Sequence, residues 1–227
     1  MPDLSQWTVR ARPERIVLAG RYVRLEPLDP VRHSAGLYTA SATPEAAQKF
    51  RWLFETPPQS LAALSHWVEQ VCVRDDPLFF AVVDQSTQAV LGRQSLMRIE
   101  PNHGVIEIGN IYWGPTLAGT RRATEAQFLF MQYVFEQLQY RRYEWKCHAD
   151  NAPSRRAALR FGFVFEGIFR QHMVFKGGNR DTAWFAIIDT QWPTLAAAYR
   201  RWLAPDNFSA DGTQRLSLAQ CMQTTRG

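Results

Sequence analysis

The chain has 227 residues, of which 46% are hydrophobic and 21% are charged, and its formal net charge at pH 7 is +5. This length and composition suffice for the core of one domain. No long uncharged apolar run is present, so a membrane-spanning helix is not expected. The positive charge would suit a nucleic acid, but no basic run alternates with stacking aromatics, so no nucleic-acid partner is expected either.

Cysteine and histidine spacing argues against a metal site. The three cysteines, Cys72, Cys147 and Cys221, lie far apart, and neither they nor the five histidines show the spacing of metal ligands. We therefore expect reduced thiols and no metal. The first fifteen residues lack the apolar segment of a secretory signal, which predicts a cytoplasmic location.

Turn signals and apolar patterns divide the first hundred residues into an arm and five elements. They are an arm over 1–19, a strand over 21–28, helices over 30–42 and 60–74, the second with Ser60 as N-cap, and two hairpin strands over 78–83 and 89–100. Between the two helices, the segment 44–58 carries Phe50, Trp52 and Phe54. The sequence leaves open whether these rings belong to the core or cover a pocket.

The stretch 105–138 predicts a buried strand, a tight loop and a long helix. Gly109 interrupts the apolar strand and marks a bulge or a close backbone approach, and Thr120 is the expected N-cap of the helix. Such a loop directs unpaired N–H groups and the positive end of the helix dipole toward one point. Arg121 and Arg122 add positive charge there, so the stretch predicts a diphosphate site.

Five further elements are predicted after that helix. They are a strand over 142–147, a helix over 152–161 that Gly162 ends as a left-handed cap, hairpin strands over 163–175 and 182–189 around a turn at 176–181, and a helix over 192–203. The polar tail that follows is expected to be peripheral.

Two of these stretches resemble the motifs of a known family. GTRRATEA from Gly119, followed by KCHADNAPSRRAALRFGFVFEG from Lys146, is similar to the two motifs of GNAT N-acetyltransferases, in the RimJ/RimL branch of ribosomal-protein N-acetyltransferases. The second motif matches at Asn151, Ser154, Ala158, Leu159, Gly162, Phe163, Glu166 and Gly167.

The resemblance covers about 20–192 and implies the fold and the division of the chain. The implied fold is α+β, the GNAT fold, in which helices flank a mixed, mostly antiparallel central sheet that is splayed at the CoA-binding strands. The expected parts are an N-terminal arm over 1–19, an N-acetyltransferase domain over 20–192, and a C-terminal helix and tail over 193–227.

The resemblance also implies acetyl-CoA as acetyl donor and assigns its contacts. The implied cofactor-binding residues are Ile111, Tyr112 and Trp113 along the pantetheine arm, Ala118, Gly119, Thr120, Arg121, Arg122, Ala123 and Thr124 at the pyrophosphate, and Asn151, Ser154 and Arg156 on the second motif. The chain departs from the family pattern at two positions. Relatives carry Gln or Arg where this chain has Ala118, and Gly where this chain has Arg121. Gly119 and Ala123 keep the loop compact.

Three residues are candidates for the proton transfers. Glu107 is either a general base or an ion-paired strand residue, and the sequence leaves both open. Ser154 either protonates the leaving thiolate or caps a helix. Some relatives carry a glutamate where this chain has Met173, and the neighbouring His172 is an alternative base, because an imidazole pKa of about 6.5 suits the task. The implied acceptor-binding residues are Trp52, Phe54 and Trp184.

The predicted function is acetyl transfer from acetyl-CoA to a primary amine, on a protein or peptide N-terminus or a small molecule, by direct attack in a ternary complex. About a tenth of an α-amine is neutral at pH 7, against less than about 0.1% of a lysine amine, so a site without a strong base favours an α-amine. The alternative is a catalytically weak or inactive acyl-CoA-binding sensor or interaction module on the same fold. A homodimer is left open.

Overall fold

The computed structural model describes residues 3–225. Its strands are β1 (Leu18–Ala19), β2 (Val23–Pro27), β3 (Leu78–Asp84), β4 (Val90–Glu100), β5 (Val105–Trp113), β6 (Arg142–His148), β7 (Val164–Phe175) and β8 (Gly178–Ile188). Its helices are α1 (Pro30–Ser41), α2 (Ala46–Phe50), α3 (Leu61–Cys72), α4 (Arg121–Gln132, continued by a π-helical turn over Tyr133–Gln137), α5 (Ala152–Arg160), α6 (Trp192–Leu203) and α7 (Leu218–Thr224). None of the helices within residues 3–225 has the length and apolar character needed to cross a membrane.

One sheet holds the eight strands in the order β1-β2-β3-β4-β5-β6-β8-β7. All neighbours are antiparallel except β5 and β6, which run parallel. These two pair only where Val105–Ile108 lies beside 142–145, and beyond Ile108 they separate. The predicted α+β GNAT fold, with a mixed, mostly antiparallel sheet splayed at these two strands, is therefore confirmed.

Helices cover both faces of the sheet, which explains why β3 is buried along its whole length. Successive side chains of a strand point to opposite faces. Leu78, Phe80 and Val82 join a core that includes residues of α4 and α6, whereas the alternate residues Phe79 and Ala81 join a second core with α1 and α3. The site described below lies at the opening between β5 and β6 in this layered structure.

The helix that follows β5 begins as predicted. The hydroxyl Oγ1 of Thr120 accepts a hydrogen bond from the amide of Ala123 at 3.4 Å, which confirms the N-cap. Gly162 adopts a φ of +91°, as expected of a left-handed cap after α5. The last hairpin is tighter than predicted: its turn is Lys176–Gly177, with φ values of 48° and 79°, so β8 begins at Gly178. Two left-handed residues suit a two-residue hairpin turn.

The tail after α6 is not peripheral, so that expectation is wrong. Leu218 and Cys221 are buried in the main core, and α7 packs against α6. The helix is short, but Ser217 and Gln220 cap its first turn reciprocally, and its two apolar residues lie three positions apart on one face. The division of the chain into an arm, a domain over 20–192 and a C-terminal part stays a prediction.

Candidate active site

A bulge in β5 creates the opening between β5 and β6. Arg93 of β4 lies opposite Tyr112 and Ser95 lies opposite Gly109, so two residues of β5, Asn110 and Ile111, occupy the length of one residue on β4. Asn110 has a φ of +50°, and Gly109 leaves no room for a Cβ, which would lie 2.3 Å from Met97 Sδ. The bulge and the close approach that Gly109 predicted are both present.

The separated strands enclose a cleft of about 450 Å³. Its walls come from the C-terminal halves of β5 and β6, the start of α5, and the segment that contains α2. Eight residues predicted to bind cofactor or acceptor or to act in catalysis line it together: Trp52, Phe54, Glu107, Ile111, Trp113, Ala118, Asn151 and Ser154. Tyr112 points the other way, as strand alternation requires, and its hydroxyl donates to Ala40 O at 3.0 Å.

The loop between β5 and α4 has the backbone of an anion site. Gly119 has a φ of +77°, and a Cβ built on it meets no atom within 4 Å, so the space beside it is open. The amides of Ala118 and Thr120 are used inside the loop. In the described part of the chain, the amides of Arg121 and Arg122 donate no hydrogen bond and lie at the positive end of the α4 dipole.

The side chains of the two arginines are engaged elsewhere. Arg122 Nη1 donates to Asp84 Oδ2 at 2.5 Å, and the Arg121 guanidinium lies over the ring of Tyr22 at 4.4 Å and that of Phe208 at 5.2 Å. Ala123 and Thr124 are buried in α4, and Arg156 is exposed on α5. An anion at this loop would therefore be held by the backbone rather than by these side chains.

The start of α5 contributes two polar residues of the second motif, Asn151 and Ser154. Asn151 Oδ1 accepts from the Ser154 amide at 3.2 Å, so Asn151 caps the helix and also lines the cleft. Ser154 Oγ accepts from Trp145 Nε1 at 3.0 Å. Because the indole can only donate, the Ser154 hydroxyl hydrogen stays available for a further acceptor in the cleft.

Four charged residues form one side of the cleft, here called the charged wall: Arg98, Glu107, Lys146 and Arg180. Glu107 is buried, and its Oε2 receives Arg98 Nη1 at 2.7 Å and Lys146 Nζ at 2.9 Å. Glu107 is thus ion-paired, one of the two alternatives left open by the sequence. Its Oε1 accepts no hydrogen bond from residues 3–225, so it retains acceptor capacity at the cleft.

Sequence reasoning identified only Glu107 of the charged wall. Arg98, Lys146 and Arg180 come from β4, β6 and β8, three strands separated in sequence by other elements. The available signal was the alternation in β6, which predicts Glu144 and Lys146 on one face. Nothing in the sequence gives the register that sets Glu107 opposite Glu144.

His172 and Trp184 lie behind the charged wall and are not among the residues that line the cleft. Lys146 Nζ lies 3.8 Å from the centre of the Trp184 ring, so Trp184 supports a wall residue. His172 Nδ1 and Thr182 Oγ1 are 2.9 Å apart. Burial lowers the pKa of His172, and the nearby charges of Arg98, Arg180 and Lys146 lower it further, which favours the neutral ring.

A covering segment, residues 44–59, crosses the open side of the cleft. Trp52 and Phe54 line the cleft, and their rings reach His148 at 5.2 Å and Phe175 at 5.3 Å. Phe50, in contrast, is 4% exposed and packs against Tyr112. The sequence left open whether these rings belong to the core or cover a pocket. Both occur, because Phe50 lies in a core and Trp52 and Phe54 lie over the cleft.

Comparisons with known proteins agree with this geometry. A family model described as "Acetyltransferase (GNAT) domain" matches residues 23–164. The structure of a GCN5-related N-acetyltransferase from Brucella melitensis superposes with a TM-score of 0.95 at 58% identity, covering 97% of this chain and 100% of that one. A probable GNAT-family acetyltransferase from Chromobacterium violaceum has a TM-score of 0.78 at 36% identity, covering 85% and 96%.

One curated relative has a named acceptor. A ribosomal-protein-serine acetyltransferase of Escherichia coli is 33% identical over 104 residues, which are 45% of this chain and 57% of that protein. The chain therefore matches little more than half the length of this relative. The resemblance to RimJ/RimL-type GNAT proteins that the two motifs carried is confirmed at modest identity.

Proposed function

This chain belongs to the GNAT family of N-acetyltransferases, and on that basis we propose that it transfers the acetyl group of acetyl-CoA to a primary amine by direct attack in a ternary complex. The observation that carries the proposal is the cleft itself. One cleft contains Asn151 and Ser154 of the second motif and a wall with the buried carboxylate of Glu107. The cleft leads to the loop in which the amides of Arg121 and Arg122 are free.

The residues fit acetyl-CoA at several points. The free amides of Arg121 and Arg122 and the open space beside Gly119 suit the pyrophosphate. Within residues 3–225, no strand lies beside the edge of β5 that faces away from β4 after Ile108, so the backbone groups near Ile111 can hold the pantetheine arm. Acetyl-CoA supplies the activated acetyl group; the protein binds and orients it.

Two residues of the cleft are proposed to move protons. Glu107 Oε1 accepts the amine proton, directly or through water, because Oε2 is held by Arg98 and Lys146 and Oε1 is open. The Ser154 hydroxyl, kept free to donate by Trp145 Nε1, protonates the thiolate. His172 is the second candidate base, since burial and the nearby cations lower its pKa and so favour the neutral ring that can accept a proton.

The acceptor is proposed to be an α-amine. Two cations occupy Oε2 of the carboxylate that would take the proton, so the site is not equipped to deprotonate a lysine, whose amine pKa is about two units higher. The name of the Escherichia coli relative, with a ribosomal protein as acceptor, supports a protein or peptide as the acceptor.

A specific observation also favours the second candidate function, an acyl-CoA-binding module without transfer. That observation is the double ion pair on Glu107, which occupies the one buried carboxylate of the cleft wall. Fold membership alone does not guarantee chemistry.

One experiment separates the two functions. Acetyl-CoA is mixed with the protein and a set of α-amines, lysine side-chain analogues and amine-free controls, while free thiol is followed and acetyl-CoA binding is measured by calorimetry. We expect thiol release that requires an amine and is faster with α-amines. Tight acetyl-CoA binding without amine-dependent thiol release would favour the binding module, and no binding at all would overturn both.

A further inference from the structure

Arg180 is a buried guanidinium at the acceptor side of the cleft. The side chain belongs to β8, is 9% exposed, and lines the cleft beside the covering segment. Its Nε donates to Thr182 Oγ1 at 3.2 Å, and its guanidinium lies 5.6 Å from the centre of the Phe175 ring and 6.0 Å from that of Phe54. Its two terminal nitrogens donate to no acceptor within residues 3–225.

The other two cations of the charged wall, Arg98 and Lys146, are paired with carboxylates. Arg98, Glu107, Lys146, Glu144, Arg142 and Glu166 form a row of alternating charge across β4, β5, β6 and β7. Each contact in the row spans 2.5 to 2.9 Å, and its three cations match its three carboxylates. Arg180 lies against this row but, in the part of the chain that the structure describes, has no carboxylate partner.

An unpaired buried charge is costly unless something compensates it. Burial lowers the pKa of Arg180, and the like charge of Arg98 adds to the effect. Removing a guanidinium from water without a partner is energetically unfavourable, and such groups persist where a ligand supplies the missing charge. The terminal nitrogens face a cleft, so the compensating group can arrive from solution.

We propose that Arg180, with Arg98 beside it, binds a carboxylate of the acceptor, so that the substrate is an amine that also carries an acidic group. The inference rests on the proposed function and narrows its substrate class. A planar guanidinium matches a carboxylate through two parallel hydrogen bonds. Glu107 lies within the same wall, so the anion held by Arg180 sets the amine of the same molecule near the proposed base.

The acceptor carboxylate has two sources. It is either the α-carboxylate of a free amino acid or an acidic side chain next to a peptide N-terminus. Both present an anion a few ångströms from an α-amine, and both fit the cleft between the covering segment and the charged wall. Matched pairs of substrates separate them: leucine against leucinamide, and the amidated dipeptides Ser-Asp against Ser-Asn.

The test compares kcat/KM for these pairs in the wild type and in the variants Arg180→Met and Arg180→Lys. The control variant is Arg201→Met, which changes an exposed arginine of α6. The wild type prefers the acidic member of at least one pair. Arg180→Met lowers kcat/KM for that member by about thirtyfold or more, mainly through KM, and leaves its neutral partner within about twofold. Arg180→Lys restores part of the preference, and Arg201→Met has no effect.

Two outcomes overturn the inference while leaving acetyl transfer intact. One is a wild type that treats both members of both pairs alike, and the other is an Arg180→Met protein that loses activity equally on acidic and neutral amines. If no amine is acetylated, calorimetry with the CoA-bound protein decides. Binding of leucine or Ser-Asp amide that Arg180→Met abolishes supports the carboxylate site, and equal or absent binding of acids and amides overturns it.

Discussion

Arg93 Nη1 donates to the backbone oxygen of Asn110 at 2.7 Å, and the same guanidinium forms an ion pair with Glu55. The first contact fixes the bulge that opens the cleft, and the second fixes the covering segment over it. Arg93 is buried, and its guanidinium lies 4.4 Å from the centre of the Trp67 ring. One buried side chain thus couples the shape of the sheet to the position of the segment above it.

Removing the charge of Glu55 should loosen that coupling. We expect Glu55→Gln to lower the free energy of unfolding by about 2 kcal/mol, because it leaves a buried guanidinium with only a neutral partner. The KM for the amine should rise as well, since Trp52 and Phe54 lie on the same segment. Urea unfolding and steady-state kinetics measure both. Glu69→Gln, at an exposed glutamate of α3, is the control, and equal stabilities of the two variants would contradict the role of the pair.

Glu107→Gln tests the proposed base. The change keeps the size of the side chain and removes the basic oxygen, so turnover should fall by about a hundredfold or more. Raising the pH should restore part of the rate, because more of the acceptor amine is then neutral. His172→Gln should have the smaller effect. Full activity of Glu107→Gln across neutral pH would transfer the role to His172 or to water.

Gly119→Val tests the anion site in the loop. Valine is strained at a φ of +77°, and its side chain would fill the open space where the pyrophosphate is proposed to bind. We expect a strong loss of acetyl-CoA affinity by calorimetry. Arg121→Ala should cost less and mainly at low salt, because the side chain packs on Tyr22 and Phe208 and the charge of a half-buried side chain is partly screened by salt. Unchanged affinity in Gly119→Val would remove the phosphate site.

Ser154→Ala separates chemistry from helix capping. Asn151, not Ser154, supplies the cap of α5, so the alanine variant loses only the hydrogen bond from Trp145 Nε1 and should be destabilised by no more than about 1 kcal/mol. Turnover should fall while acetyl-CoA affinity is retained. Asn151→Ala should instead cost about 1 kcal/mol of stability. A Ser154→Ala protein that loses several kcal/mol of stability together with its activity would indicate a structural role for the hydroxyl.

Asp84 should make stability depend on acid pH. Burial alone would raise its pKa, but hydrogen bonds from Ser86 and Thr87 and the charge of Arg122 outweigh burial and lower the pKa to about 2, from an ordinary 3.8. A lowered pKa stabilises the folded state above pH 3.8, and this stabilisation disappears as the pH falls through about 2. Asp84→Asn should therefore cost about 2 kcal/mol at pH 7 and progressively less toward pH 2. A cost that does not change with pH would refute this assignment.

The sequence by itself determined the features that depend on near neighbours. Thr120 caps α4 through a contact three residues away, and Gly162 ends α5 because its own φ is positive. The motif around Asn151 identified the family for the same reason, since its residues follow one another along one turn, one helix and the start of β7. Apolar runs likewise predicted β5 as a buried strand, because burial on both faces leaves a pattern within the strand itself.

Only the tertiary structure decided which charges meet. Arg122 was expected at a phosphate, yet it pairs with Asp84, 38 positions earlier in the chain. Three strands bring cations to the wall around Glu107: Arg98 and Lys146 pair with its carboxylate, and Arg180 lines the same cleft. In the same way, α7 is buried because it packs against α6. Such contacts depend on strand register and helix packing, which are set by the whole core. A local pattern shows that a side chain is charged or apolar, but its partner is chosen by the fold.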